Sequence, residues 1–89
     1  MNAVLIGSVS SSAAALRGLL RGGLPMAAVC GLDAQHAAGV SDFVDLAPLA
    51  RDAGVPYVTF RKVTEPQVEA VLRDIRPDWL FVIGLSQLV

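Results

Sequence analysis

The apolar residues of this chain gather into four short runs, and two of the three stretches between them repeat with a helical period. The first run, Met1 to Gly7 (MNAVLIG), closes on glycine and suits a strand buried on both faces. Ser8 to Ser12 is a polar turn rich in helix-capping residues, after which Leu16, Leu19 and Leu20 recur at i, i+3 and i+4 with Arg17 and Arg21 turned outward. Gly22-Gly23 stops that helix. Met26 to Cys30 (MAAVC) reads as a second strand leaving through Gly31-Leu32-Asp33, and Asp33 to Asp42, which has no period, reads as a loop. Within Phe43 to Ala53, Asp45 can cap a short helix whose first turn accommodates Pro48 and whose end is Gly54. Pro56 to Phe60 (PYVTF), β-branched and aromatic, predicts a third strand. Thr64-Glu65-Pro66-Gln67 fits a capping box with Thr64 as N-cap, and Val68, Val71, Leu72 and Ile75 follow at helical spacing. Arg76-Pro77-Asp78 breaks this helix, and Trp79 to Ile83, the fourth apolar run, reads as a fourth buried strand.

Strands that alternate with helices imply a parallel sheet with right-handed crossovers. The expected fold is therefore α/β: a Rossmann-like, three-layer half-domain with a four-stranded parallel sheet in the order 3-2-1-4. In that order the fourth strand is an edge. Its sequence is that of an interior strand, with neither the charges nor the proline that protect natural edges, so self-association through strand four is expected.

Composition sharpens this picture. Of the 89 residues 54% are hydrophobic and 17% charged, below the roughly 25% charged share of ordinary soluble domains, so the apolar surface asks for further cover. A formal charge of -1 with scattered Lys and Arg gives no footprint for nucleic acid. No apolar run approaches the roughly 18–20 residues of a membrane span, and the short apolar start lacks the basic region of a signal peptide. The lone Cys30 has no intramolecular disulfide partner, which points to a reducing compartment and hence the cytoplasm.

Most chemically suggestive residues have ordinary explanations. The turn from Gly7 to Ser12 lies where a dinucleotide fold carries G-x-G-x-x-G, but only the first glycine is present; Val9 and Ser12 occupy the other two positions. Asp33, after strand two, stands where a ribose-binding acid would, yet without the glycines it reads as a solvated loop carboxylate. His36 is the only histidine and makes no metal site alone; Cys30 reads as a small buried hydrophobe. Arg61-Lys62 follows strand three at the carboxyl end of the sheet, where it could steer an anion. Tyr57, Phe60, Trp79 and Phe81 read as core, and Glu65, Glu69, Asp74 and Asp78 as a solvent face with Glu69 and Arg73 as an i, i+4 pair. The turn after strand four, Gly84-Leu85-Ser86-Gln87, lies at the switch point of the sheet and is the best-placed candidate site.

Taken together, the stretches Ser41 to Ala50 (SDFVDLAPLA), Gly54-Val55-Pro56, and Pro77 to Val89 with its strand followed by GLSQLV resemble the amino-terminal part of the folate-dependent formyltransferases, the group that formylates methionyl-tRNA, glycinamide ribonucleotide and nucleotide sugars. The resemblance runs across residues 1–89 and spans the first half or less of that family's catalytic domain, which implies a truncated domain. It implies that Leu85, Ser86 and Gln87 line the pterin pocket for 10-formyltetrahydrofolate, largely through backbone atoms. The family's Asn-x-His motif and later Asp would follow Val89; Asn2 is the only asparagine here, so the resemblance nominates no catalytic residue within the chain. The segment Asp33 to Asp42 holds no Lys or Arg, unlike the longer basic loop of the methionyl-tRNA branch, so a small-molecule amine such as an amino sugar is the implied acceptor. The alternative expectation is a non-catalytic interaction module that pairs through strand four.

Overall fold

The computed structural model describes residues 2–34, 43–62 and 65–83. Seven elements alternate along them: β1 (Ala3–Gly7), α1 (Ser10–Arg21), β2 (Met26–Leu32), α2 (Ala47–Ala53), β3 (Tyr57–Phe60), α3 (Pro66–Ile75) and β4 (Trp79–Val82). All strand pairs are parallel, and the four strands lie in the order β3-β2-β1-β4, as the alternation predicts. The class defined is an α/β, Rossmann-like fold.

Side chains alternate across the sheet, so β1 and β2 supply two cores. On one face Val4, Ile6, Ala28, Cys30, Leu32 and Phe60 pack under α3 through Val68, Val71, Leu72 and Ile75. On the other, Leu5 and Val29 meet Ala13 and Leu16 of α1 and Ala50 of α2. Every residue of β1 is buried, which is the burial its unbroken apolar run requires. The outward placement of Arg17 and Arg21 on α1 also holds.

Element ends differ from the sequence reading by local hydrogen bonding. β2 continues through Gly31 and Leu32, because those residues pair with Thr59 and Phe60 of β3. α2 begins after Leu46, and Asp45 accepts the Ala47 N–H at 3.0 Å from just outside the helix. Pro48 falls in the first turn and Gly54, at φ 70, closes the last. The N-cap of α3 is Glu65, one residue later than expected; Thr64 lies outside the described residues. α3 ends at Arg76, whose φ of 49 puts a non-glycine residue in the left-handed region.

Two of the acidic residues assigned to a solvent face also hold neighbouring backbone, Glu65 from a half-buried position and Asp78 from an exposed one, as expected of it. Glu65 accepts the Arg61 backbone N–H at 2.7 Å and the Arg61 Nε at 3.3 Å, folding the chain back between β3 and α3. Asp78 accepts the Asn2 N–H at 2.9 Å, while its own N–H reaches Asn2 Oδ1 at 3.1 Å. This clasp aligns the starts of β1 and β4. Glu69 and Asp74 are exposed as expected, and Glu69 pairs with Arg73.

β4 is the edge of the sheet among the described residues. Its register sets Leu80, Phe81 and Val82 beside Val4, Leu5 and Ile6. Phe81 therefore joins the core under α1, whereas Leu80 and Val82 share the α3 face beyond the reach of α3, which packs on β2 and β3. Trp79, Leu80 and Val82 are 51%, 46% and 43% exposed. The expectations that Trp79 is core and that the fourth strand is buried are corrected accordingly: among the described residues β4 is an edge, with no neighbour on one flank to cover it.

Candidate functional site at the carboxyl end of the sheet

The carboxyl ends of β1 and β4 lie side by side where the strand order reverses, the place where open parallel sheets bind ligands. The geometry there is organised around Ser12, which is fully buried in the first turn of α1. Its Oγ accepts the Ser8 N–H at 3.1 Å and the Val9 N–H at 3.3 Å, and donates to the Ile83 carbonyl at 2.5 Å. One donor and two acceptor positions are all that a hydroxyl has, so Ser12 is saturated. Gly7 is required beside it, because a methyl group there would overlap Ser12 Oγ and the Ile83 carbonyl.

This arrangement alters the meaning of the turn. In a dinucleotide fold, backbone N–H groups after the first strand point at phosphate. Here two of them are committed to the protein's own hydroxyl, and the Ser12 and Ala13 N–H groups close on the Val9 carbonyl at 3.0 and 3.2 Å. The turn is also roofed. Val44 N–H donates to the Ser8 carbonyl at 3.0 Å, and Val9 forms an antiparallel bridge with Phe43. The sequence places Ser12 in a turn of helix-capping residues and as a departure from the glycine pattern; its particular role follows from its place as third helical residue, where a polar side chain can return to the N-cap N–H.

Leu85, Ser86 and Gln87 lie outside the described residues, as do His36 and Gln35 to Asp42. What is described is the strand that delivers that turn: Ile83 N–H donates to the Ile6 carbonyl at 3.1 Å, extending the β1–β4 ladder by one step.

The remaining chemical candidates separate from this site. Asp33 follows β2, its N–H bonded to the Phe60 carbonyl at 2.8 Å. Arg61 and Lys62 are exposed at the end of β3, with Arg61 paired to Glu65. The Arg61 backbone N–H, foremost among several donors, holds the Glu65 carboxyl below its ordinary range. Cys30 is fully buried, and burial pushes its thiol from 9.0 up to about 11, which leaves almost no thiolate at neutral pH. Tyr57 lies across Gly31, where any side chain would overlap the phenol, and its Oη stands 3.5 Å from Asp45 Oδ1. Burial first, and then the Asp45 charge, raise that phenol above its ordinary value. Sequence reading treated Gly31 as part of a strand exit; a glycine inside a strand is itself a signal of close approach.

Among the described residues no three His, Cys, Asp or Glu side chains are placed to hold a metal ion, and no helix is long and apolar enough to cross a membrane. No protein-family model matches the chain, and no curated protein matches it either.

Proposed function

We propose that this chain is the amino-terminal, folate-side part of a 10-formyltetrahydrofolate-dependent formyltransferase acting on a small-molecule amine such as an amino sugar, in the cytoplasm. The observation that supports the reading is the pairing of β4 with β1, which sets the carboxyl end of β4, described through Ile83, at the switch point of the sheet. The sequence resemblance agrees, and the occupied β1–α1 turn weighs against the nucleotide-binding rival.

In formyl transfer the acceptor amine attacks the formyl carbon, a new C–N bond forms, and the bond to folate nitrogen breaks as a proton passes from the amine to the leaving nitrogen. A general base and donors for the intermediate oxyanion are required. The 89 residues hold no Asn-x-His. Incubated alone with 10-formyltetrahydrofolate and amino sugars, this chain is expected to form no formamide. The full-length protein is expected to form it and to release tetrahydrofolate. Failure of the full-length protein with every amine class would reject the assignment.

A second reading rests on the exposed Trp79, Leu80 and Val82: a non-catalytic interaction module that pairs through β4, most simply as a homodimer. Edge pairing would satisfy the backbone groups of β4 and cover its apolar side chains. A sedimentation mass that stays monomeric at high concentration would remove it.

A further inference from the structure

Resting on the second reading above, we infer that the partner of β4 is a second copy of this chain, joined antiparallel in one register: Leu80 of each copy lies opposite Val82 of the other, and two four-stranded sheets become one. The ladder to β1 carries the first step. Trp79 N–H donates to the Asn2 carbonyl at 3.2 Å and Ile83 N–H to the Ile6 carbonyl at 3.1 Å, so by the two-residue period of a strand the Phe81 N–H faces β1 as well. Among the described residues, Leu80 and Val82 therefore turn their N–H and C=O groups to the open flank. The same two residues carry side chains 46% and 43% exposed on the α3 side of the sheet. Outward main chain and uncovered apolar side chains coincide at two positions symmetric about Phe81.

That symmetry selects the occupant. A two-fold axis perpendicular to the sheet beside Phe81 reverses the strand direction and keeps its faces. Leu80 and Val82 of the two copies then form hydrogen-bonded pairs that use every outward N–H and C=O of both residues. On the α3 side their aliphatic side chains join into one patch, and on the α1 side Phe81 faces Phe81. A register centred on Leu80 would set Val82 opposite Asp78, an apolar side chain against a carboxylate, and one centred on Val82 would run past the end of β4. Charge permits the join as well. Residues 79–83 carry none, and the formal charge of the chain is only -1. The two Asp78 carboxylates fall at opposite ends of the pair, roughly 20 Å apart and beyond the roughly 8 Å Debye length. The contact is short, so the dimer depends on concentration.

Two measurements on the 89-residue chain test this. In the unaltered chain, sedimentation should give twice the monomer mass at high concentration. There the Leu80 and Val82 amides should exchange about tenfold more slowly than in dilute solution, while those of Phe81 and Ile83, bonded to β1, are protected in both. For the register, Leu80→Cys and Val82→Cys chains are oxidised separately and as an equimolar mixture; Cys30 is fully buried and takes no part. Opposed hydrogen-bonded residues stand about 5.5 Å apart at Cα, within disulfide reach, whereas like residues, displaced diagonally, exceed about 7 Å. The mixture should therefore yield a disulfide-linked pair with one chain of each kind, and the separate variants little. Ready cross-linking of Leu80→Cys with itself would reveal another register, overturning the inference and leaving pairing through β4 standing. A mass that stays monomeric, or a dimer whose Leu80 and Val82 amides exchange as fast as in dilute solution, would remove the second reading and this inference with it.

Discussion

Three small residues, Gly7, Ser12 and Gly31, fix how close the strands and their covering groups approach. Ser12→Ala would strip an acceptor from the buried Ser8 N–H and the partly buried Val9 N–H and a donor from the partly buried Ile83 carbonyl, at a cost of about 1–3 kcal/mol for a fully buried group and less for the others. Gly31→Ala would press a methyl into the Tyr57 phenol, an overpacking worth about 1–3 kcal/mol. Tyr57→Phe removes the atom in closest conflict, so the double variant should lose less than the sum of the two single changes; additive losses in denaturant titrations would show that the two do not share space. Burial of Cys30 and partial burial of Tyr57 predict a loss of stability on the alkaline side. Each acid is harder to ionise folded than unfolded, so the unfolded chain releases protons first and stability falls as pH rises. For Cys30 the window runs from 9.0 to about 11 and the loss is on the order of 2–3 kcal/mol. Unfolding midpoints measured from pH 8 upward should decline, and Cys30→Ala should flatten the first part of that decline. A midpoint independent of pH would contradict the burial of both groups.

At the scale of elements, β4 divides into residues that build the fold and residues that face outward. Phe81 packs with Leu5 beneath α1, so Phe81→Lys places a charge against the core and should cost about 3–5 kcal/mol. Leu80→Lys and Val82→Lys alter the exposed face and should change the unfolding midpoint little, while shifting any dimer toward monomer in sedimentation. Loss of folding in the second pair would mean that their face is covered within the chain. β1, β2 and β4 were legible as short apolar runs and β3 by its β-branched and aromatic residues, and α1 and α3 because their leucines and valines recur on one face. The ends were less legible. β2 was extended by pairing with β3, a contact between segments 25 or more residues apart that no local pattern records. Glu65 and Asp78 have the spacing of solvent-facing acids, yet each binds a backbone N–H on a neighbouring segment, and periodicity alone does not separate the two roles.

For the whole molecule, the strand order followed from alternation and handedness, and with it the place of the crevice between β1 and β4. What that crevice is made of was not legible. A capping role for the Ser8 to Ser12 turn is legible in the sequence, but not that Ser12 Oγ fills the turn from within and reaches across to Ile83. The nominated residues Leu85, Ser86 and Gln87 follow a strand whose path is described through Ile83, so the function depends on whether a folate settles at that exit. Hydrogen exchange of protein containing this chain, with and without tetrahydrofolate, examines the proposed function directly. New protection is expected at Ile83 and the residues immediately after it, with the amides of Ser8 and Val9 already protected before ligand is added. Protection confined to another part of the sheet, or none at saturating folate, would contradict the account.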